Sequence, residues 1–284
     1  MPQRIVSELQ ALASETRRKH PEVRQAADAA LRELQRDPDA ALAASRAQAD
    51  AAPEGGVLLQ PVLLACATKT PKVVLLAVAL LHRCVLLHAV PDSALPRVVE
   101  ALQSLTASPS RTDIDAHLRI LQTVSALITG YTGITAQLLS STLMVCFALY
   151  EHSRVAVVSS TAAATLRQSI MVVFDKVNDE DHALESIQGG GEAAALTAPL
   201  PVHTAKTPDG QVTLFPCAAD AYLLFSDLCA LANGEAASFL PLTHLARPFA
   251  LELLESVLTN HARLFASATH ESDAASTHPE LCLL

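Results

Sequence analysis

Tryptophan is absent from this 284-residue sequence, and all aromatic residues together make up only 4% of it. Charged residues are also scarce, at 17%, whereas hydrophobic residues reach 50%. This balance excludes an intrinsically disordered chain, because such chains combine low hydrophobicity with high net charge. The formal net charge is −9. The broad basic surface that nucleic-acid binding requires is therefore not expected, and nucleic acid is not predicted as a main partner.

Sequence signatures of catalysis and of metal binding are missing. There is no G-x-S-x-G motif, and Gly189–Gly191 lack the Lys-Ser/Thr that completes a phosphate-binding loop. His82 and Cys84 stand two residues apart, which on a helix points them to different sides. The acidic cluster at 179–182 lacks the spacing and the glycine of a calcium loop, so it is interpreted as a solvated acidic loop. No enzymatic activity, metal or cofactor is expected.

Long apolar runs and closely spaced cysteine pairs are missing as well. The longest apolar run, VVLLAVALL at 73–81, is shorter than the roughly 20 residues of a membrane-spanning helix. The amphipathic N-terminus contains acids and does not resemble a signal peptide. A cytoplasmic protein is expected, with Arg17, Arg18 and Lys19 as a weak hint of contact with a membrane surface. The absence of C-x-x-C spacing favours free thiols at Cys66, Cys84, Cys146, Cys217, Cys229 and Cys282.

What the sequence does contain is a succession of helical patterns of about 12–22 residues joined by short turns. Pro21 begins one helix, Asp37-Pro38 and Thr70-Pro71 separate others, and a further helix is predicted from Val155 to Val177. No segment alternates apolar and polar residues long enough to predict a strand. The pattern predicts an all-α protein, an armadillo/HEAT-like α-solenoid, with an ordinary helical bundle as the alternative.

Changes in composition divide the chain into four parts. Residues 1–185 are predicted as the helical solenoid, and 186–216, rich in Gly, Pro and Thr, as a flexible linker. Residues 217–266 contain a helix pair, and 267–284 have the composition of a disordered tail. The sequence ends on ELCLL without a terminating signal, so we expect the natural chain to continue.

Two helices raise the question of a binding surface. The segment TKTPKVVLLAVALLHR, residues 68–83, carries Lys69 and Lys72 at a helix start and is apolar on all sides. Such a helix either lies centrally in the stack or exposes part of its surface to a partner. Arg167 has no acid one turn away on its own helix, and Gln168 follows it. This polar pair is interpreted as a tie between helices that fixes their packing, with a partner contact as the alternative.

Three segments resemble a known family: HLRILQTVSALIT at 117–129, TAAATLRQSIMVVFDKV at 161–177 and DAYLLFSDLCALANGE at 220–235. They are similar to the N-terminal DCB region, named for dimerisation and cyclophilin binding, of the large Golgi Arf guanine-nucleotide exchange factors. The phrases LFSDLCALANGE and LELLESVLTN favour the scaffold branch of that family. The resemblance implies a non-catalytic scaffold or regulatory module of a Golgi–endosome vesicle-trafficking protein.

The resemblance also implies partners and a location. The partners would be an Arf-like small GTPase in its GTP state, a second copy forming a homodimer, or other segments of the full-length protein. The protein would be peripheral on Golgi, trans-Golgi network or endosome membranes. By position, the helix at 71–87 is the candidate GTPase face, with Lys69, Lys72, Val73, Leu76 and Arg83 as partner-binding residues and Arg167 with Gln168 as the structural polar tie. A generic HEAT-type adaptor that binds peptides without a GTPase is the alternative.

Overall fold

The computed structural model describes residues 2–47, 56–107, 114–188, 200, 202–207 and 210–265. The fold is an all-α solenoid of the armadillo/HEAT type with a few strand residues, as the sequence predicted. The chain divides into two compact units. Unit 1 comprises Met1–Ile134 and Ser141–Leu166, and unit 2 comprises Thr135–Ser140 and Arg167–Leu284.

The helices of unit 1 pack against one another in a regular succession. Helix α1 packs on α2, α2 on α4, and α4 on α5, while α5 also packs on α1 and α7. Helix α5 is therefore the central helix of this unit. The elements are α1 Pro2–Glu15, α2 Pro21–Arg36, α3 Pro38–Ala47, α4 Gly56–Ala67, α5 Pro71–Leu86, the 3₁₀ turn Asp92–Ala94, α6 Leu95–Thr106 and α7 Ile114–Gly130.

Prolines and one aspartate explain where several of these helices begin. Pro21 and Pro71 occupy the first turn of α2 and α5, where a missing backbone N–H is tolerated. Asp37 caps α3, since its Oδ1 accepts hydrogen bonds from the amides of Asp39 at 3.1 Å and Ala40 at 3.0 Å. The predicted breaks at Asp37-Pro38 and Thr70-Pro71 are confirmed.

The core of unit 1 is built from the apolar sides of α1, α5 and α7, which meet away from solvent. Fully buried side chains recur at helical spacing on each of these helices, so a single apolar layer joins them. Each fully buried leucine or isoleucine stabilises the fold by about 1.5–3 kcal/mol. These core residues are Ile5, Leu9 and Leu12 on α1, Ala77, Val78 and Leu81 on α5, and Ile120, Val124 and Leu127 on α7.

The C-terminal end of α5 is held by side chains from other helices. Arg46 donates from Nη2 to the Leu87 carbonyl at 2.7 Å and from Nε to the His88 carbonyl at 3.0 Å. The hydroxyl of Tyr131 donates to the Val85 carbonyl at 3.3 Å. These donors satisfy carbonyls that a helix end leaves free, and they fix α5 in its central position.

Helices α8 and α9 follow, and α9 is longer than the sequence predicted. Helix α8 covers Ala136–His152 and α9 covers Ala156–Gln188, whereas the pattern predicted an end at Val177. The acidic residues 179–182, interpreted as a solvated loop, are helical. The predicted end was too early for a physical reason. The carboxylate of Glu180 on α9 accepts hydrogen bonds from the backbone amides of Cys217 and Ala218, at the start of the next helix. The sequence around residues 179–182 does not reveal this distant contact.

By length and composition alone, the segment Ala156–Leu184 of α9 could cross a membrane, and within the described ranges it is the one helix that passes this test. Half of its most apolar window is buried inside the protein. Burial of this kind is what a core helix of a soluble domain also shows, and Leu166, Ile170 and Phe174 on α9 are all fully buried. We therefore interpret α9 as a core helix.

Unit 2 contains a β-hairpin that the sequence did not predict. Strand β1, His203–Thr207, pairs antiparallel with β2, Gly210–Leu214, inside the segment interpreted as a flexible linker. Ala205 is a buried apolar residue of β1, and Leu214 is a buried apolar residue of β2. The strands are too short for these residues to form a recognisable alternation of apolar and polar positions. The other linker residues at 189–199 and the predicted disordered tail at 267–284 lie outside the described residues.

Two helices complete unit 2, α10 at Pro216–Asn233 and α11 at Arg247–Asn260, followed by the 3₁₀ turn Ala262–Phe265. Phe215 precedes α10 and offers no side-chain cap. The carboxylate of Glu180 on α9 replaces it, accepting hydrogen bonds from the amides of Cys217 and Ala218 at 3.0 Å. A negative charge at this end also suits the helix dipole.

Buried aspartates on α10 organise the chain around it. Asp227, 2% exposed, accepts hydrogen bonds from the amides of Ser238 at 2.8 Å, Phe239 at 2.9 Å and Leu240. Asp220, 4% exposed, accepts one from the amide of Ala136 at 2.8 Å, at the start of α8. The motif LFSDLCALANGE thus contains an anchor for the loop that follows it.

Candidate partner-binding site

The outer side of α5 in unit 1 carries a narrow strip that solvent reaches. Lys72 is exposed, whereas Leu76, Ala79 and Arg83 are half-buried. These four residues follow one another at spacings of four, three and four, so they lie on one side of the helix. We call them the α5 strip, and its centre is apolar while both its ends are cationic.

An ion pair to α1 fixes the first end of the α5 strip. Lys72 Nζ lies 2.6 Å from Glu15 Oε2, and the side chains are 71% and 32% exposed. A cation at a helix start opposes the helix dipole, and Glu15 offsets this local disadvantage. At this exposure the pair contributes no more than about 1 kcal/mol to stability, so Lys72 stays available to a partner.

The second end of the α5 strip is a more buried polar cluster. Arg83 Nε lies 3.4 Å from Glu8 Oε1, and the side chains are 31% and 22% exposed. Burial raises the pKa of Glu8, although Arg83, Arg119 and Arg4 act in the opposite direction. Burial also lowers the pKa of His82, and the charges of Arg119 and Arg83 add to that effect.

Two polar atoms of this cluster have no hydrogen-bond partner within the described part of the chain. They are Oε2 of Glu8 and Nδ1 of His82, and both are shielded from solvent. Buried polar atoms are normally paired, because leaving one unpaired costs about 1–3 kcal/mol. The two unpaired atoms therefore lower the stability of this end of the α5 strip.

The structure separates the predicted site residues. Lys72, Leu76 and Arg83 come together on the α5 strip, and Lys69 is exposed in the turn before α5 with a φ of +52°. Val73 is only 2% exposed and belongs to the core, so its predicted place on the surface is corrected. One position along a helix turns the side chain by about 100°, which carries Val73 from the strip into the core of unit 1.

Two residues of the site were missed by the sequence analysis, Glu8 and Glu15. Both lie on α1, and each pairs with a cation of α5 that follows more than fifty residues later in the chain. Glu8 and Glu15 are seven residues apart, and their partners Arg83 and Lys72 are eleven apart. Both spacings return a side chain to nearly the same side of a helix. This periodicity becomes a usable signal only once α1 and α5 are known to be antiparallel neighbours.

Arg167 and Gln168 are neighbours on α9, but the structure gives them different surroundings. In unit 2, Arg167 Nη2 lies 2.6 Å from Glu252 Oε1, and its guanidinium lies 5.4 Å from the centre of the Phe249 ring. Arg167 is thus a polar tie between α9 and α11. Gln168 is exposed, and the described residues give it no partner on a neighbouring helix. Its predicted role in the tie is therefore corrected.

The described residues hold no group of three or more metal-ligating side chains. The five cysteines that the structure describes are free thiols, and Cys282 lies outside the described residues. Burial raises the pKa of Cys66, Cys84 and Cys146 to about 12, so these thiols are protonated and unreactive at neutral pH.

Comparison with known proteins connects both units to one family. Residues 1–181 match the family model "Mon2/Sec7/BIG1-like, dimerisation and cyclophilin-binding domain", and residues 217–284 match "Mon2/Sec7/BIG1-like, HUS domain". The α5 strip lies in the first match and helices α10 and α11 lie in the second. The predicted resemblance is confirmed.

Individual relatives agree with the family models. The chain is 33% identical over 262 residues to the protein MON2 homolog of Homo sapiens, covering 91% of this chain and 14% of the relative. The homolog of Xenopus laevis is 32% identical over 264 residues, which cover 91% of this chain and 14% of the relative. Protein MON2 of Saccharomyces cerevisiae is 25% identical over 278 residues, which cover 92% of this chain and 15% of the relative. The chain spans about a seventh of the length of these relatives.

Proposed function

The chain belongs to the Mon2/Sec7/BIG1-like family, and from that premise we propose that it is a non-catalytic scaffold module of a Golgi–endosome vesicle-trafficking protein. In this proposal residues 1–185 form its DCB-like solenoid, 186–216 connect the two parts, and the residues from 217 onward open the HUS region. The helical stack supports docking, because solenoids bind partners along their extended surfaces.

The α5 strip with Lys69 is the surface that binds an Arf-like GTPase in its GTP state. The observation that carries this proposal is an apolar centre, Leu76 and Ala79, between two cationic ends that are held by ion pairs to α1. Protein interfaces commonly have an apolar core and a polar rim. A GTPase presents a matching surface when bound GTP orders its switch regions, which explains a preference for that state.

Self-association is a second proposed property. The family model that matches residues 1–181 is described as a dimerisation and cyclophilin-binding domain. Sedimentation at increasing protein concentration measures it directly, with a shift from monomer to dimer as the expected result.

The test of the GTPase proposal is capture of Arf-like GTPases locked in the GTP or the GDP state by the immobilised chain. We expect capture of the GTP form only, and its loss when Lys72→Glu and Leu76→Asp are combined. Leu251→Asp is the matched control, because Leu251 is 47% exposed on α11 and lies outside the α5 strip. The control variant should capture as the unchanged chain does.

Two outcomes would contradict the proposal. If the double variant unfolds at a clearly lower temperature than the unchanged chain, Leu76 is a core residue and the site assignment fails. If capture does not depend on the nucleotide, a HEAT-type adaptor that binds peptides is the better description.

A further inference from the structure

Three arginines from three helices of unit 1 gather around one carboxylate. Arg83 on α5 pairs with Glu8 on α1, with 3.4 Å between Nε and Oε1. Burial raises the pKa of Glu8, and the charges of Arg83, of Arg119 on α7 and of Arg4 on α1 oppose this rise. Since charge interactions weaken with distance, all three guanidinium groups lie near Glu8. We call Arg4, Arg83 and Arg119 the arginine cluster, and Arg83 joins it to the α5 strip.

Arg119 uses little of its hydrogen-bonding capacity inside unit 1. A guanidinium has five N–H donors, and in this half-buried side chain Nη1 donates to Oε1 of Gln122 at 2.9 Å. Asp115 stands one turn earlier on α7 but does not pair with Arg119. Neither Arg119 nor the exposed Arg4 makes an ion pair with an acid among the described residues. Most donors of both side chains are thus available to a group from outside the chain.

Gathering these cations works against the stability of unit 1. Like charges repel one another, and a half-buried site screens the repulsion less than open solvent does. His82 shows the effect, because burial lowers its pKa and the charges of Arg119 and Arg83 lower it further. The chain as a whole has a net charge of −9, so composition does not explain a local excess of cations. Such a cluster suits a surface that meets an acidic partner.

The position of the arginine cluster favours a protein as that partner. The cluster continues from the apolar centre of the α5 strip, Leu76 and Ala79. An apolar centre with a charged rim is common in protein interfaces, where arginine is enriched. A guanidinium can also hold a carboxylate through two parallel hydrogen bonds, which makes arginine well suited to an Asp or Glu side chain.

We propose that the arginine cluster binds a carboxylate that a protein partner places next to its apolar contact with the α5 strip. This inference rests on the proposed docking at the α5 strip, and it adds the chemistry that the partner must present. That chemistry is an Asp or Glu side chain beside an apolar patch. Arg4 and Arg119 thereby become specificity-determining residues, although they lie on α1 and α7 and not on α5.

The expected effects follow from what each variant loses. Arg119→Gln removes a charge and its paired donors and should weaken binding about tenfold, as the loss of one charge-assisted hydrogen bond does. Arg119→Lys keeps the charge but not the paired donors, so its loss should be smaller. Arg4→Gln removes an exposed charge and should weaken binding about two- to fivefold. High salt should reduce these differences, because it screens exposed charges.

The first experiment measures how tightly the 284-residue chain and its variants bind a GTP-locked Arf-like GTPase. Arg24→Gln is the matched control and should bind as the unchanged chain does. Arg24 is an exposed arginine of α2 that pairs with Asp28 at 3.4 Å, and it lies near the α1–α2 turn, at the opposite end of α1 from Arg4. Circular dichroism shows whether each variant is folded. Arg4→Gln breaks no ion pair among the described residues, so it keeps the test valid if Arg119→Gln is unstable.

The second experiment does not depend on a GTPase. An array of short peptides combines leucine with glutamate at different spacings, and each peptide has a twin in which glutamine replaces glutamate. We expect the unchanged chain to retain acidic peptides in preference to their twins. Arg119→Gln and Arg4→Gln should reduce this preference, whereas Arg24→Gln should keep it.

Two results would overturn the proposal. One is GTPase binding that is as tight in Arg119→Gln and Arg4→Gln as in Arg24→Gln; the proposed function would then stand without the arginine cluster. The other is an unchanged chain that binds no GTPase and retains the acidic peptides and their twins alike. If no GTPase is bound but the acidic peptides are preferred, the GTPase is the wrong partner and the arginine cluster keeps its role. The two failures are therefore distinguishable.

Discussion

Replacing Asp227 by alanine tests whether one carboxylate holds the loop between α10 and α11. The side chain is 2% exposed, and its two oxygens accept hydrogen bonds from three consecutive amides and from the Ser238 hydroxyl at 3.2 Å. Hydrogen bonds to a charged group contribute about 1.5–3 kcal/mol each, and they are not additive once the loop relaxes. We expect Asp227→Ala to lower the free energy of unfolding by about 3–5 kcal/mol. Asp227→Asn keeps one acceptor oxygen and should lower it by about half as much.

Urea unfolding followed by circular dichroism measures the loss, and hydrogen exchange at the amides of Ser238, Phe239 and Leu240 locates it. Glu235→Ala is the matched control, because Glu235 is an exposed acid at the start of the same loop. Its effect should stay within about 0.5 kcal/mol. The reasoning is refuted if Asp227→Ala lowers the free energy of unfolding by less than about 1 kcal/mol. Unchanged exchange at the three amides would refute it as well.

Three further predictions concern residues of unit 2. Burial raises the pKa of Asp220 from its usual 3.8 to about 7, so the free energy of unfolding should fall as pH rises through that window. The side chain of the Asp220→Asn variant cannot titrate, so denaturant titrations at a series of pH values should show a smaller fall in its free energy of unfolding. An equal fall in both proteins would mean that other groups cause the pH dependence. Glu180→Gln removes the charged cap of α10 and should lower the free energy of unfolding by about 1–2 kcal/mol, with no change contradicting the capping role. A double-mutant cycle of Arg167→Ala and Glu252→Ala should give a coupling energy of about 0.5–1 kcal/mol, and a coupling near zero would show that the pair is incidental.

The parts of the fold that sequence could predict are those that depend on neighbouring residues. Pro21 and Pro71 mark helix starts because a proline in the first turn has no unsatisfied N–H, and both marks are confirmed. The continuous helical period then predicted a solenoid. The predicted end of α9 was wrong because Glu180 is held in that helix by backbone amides of α10, which lie more than thirty residues later in the chain.

The candidate site shows the same division between local and distant information. The family resemblance selected Lys72, Leu76 and Arg83 by their position on α5, and in the structure the three lie on one side of that helix. The periodicity of α5 could not decide which side faces the core, because α5 is apolar all round, and so Val73 was placed wrongly. The acids that hold the strip come from α1, and the acid that binds Arg167 comes from α11. Only tertiary structure brings them together.

The start of α8 has a consequence for synthesis on the ribosome. Ala136 gives its amide to Asp220, and the Ser140 hydroxyl donates to the Phe239 carbonyl at 2.7 Å. These acceptors are translated 84 and 99 residues later. The emerging polypeptide can assemble unit 1 once residue 166 has been made, yet the opening turn of α8 must wait for α10 and the loop beyond it. A ribosome stalled before position 239 would hold a nascent chain whose Ser140 has not yet met its acceptor.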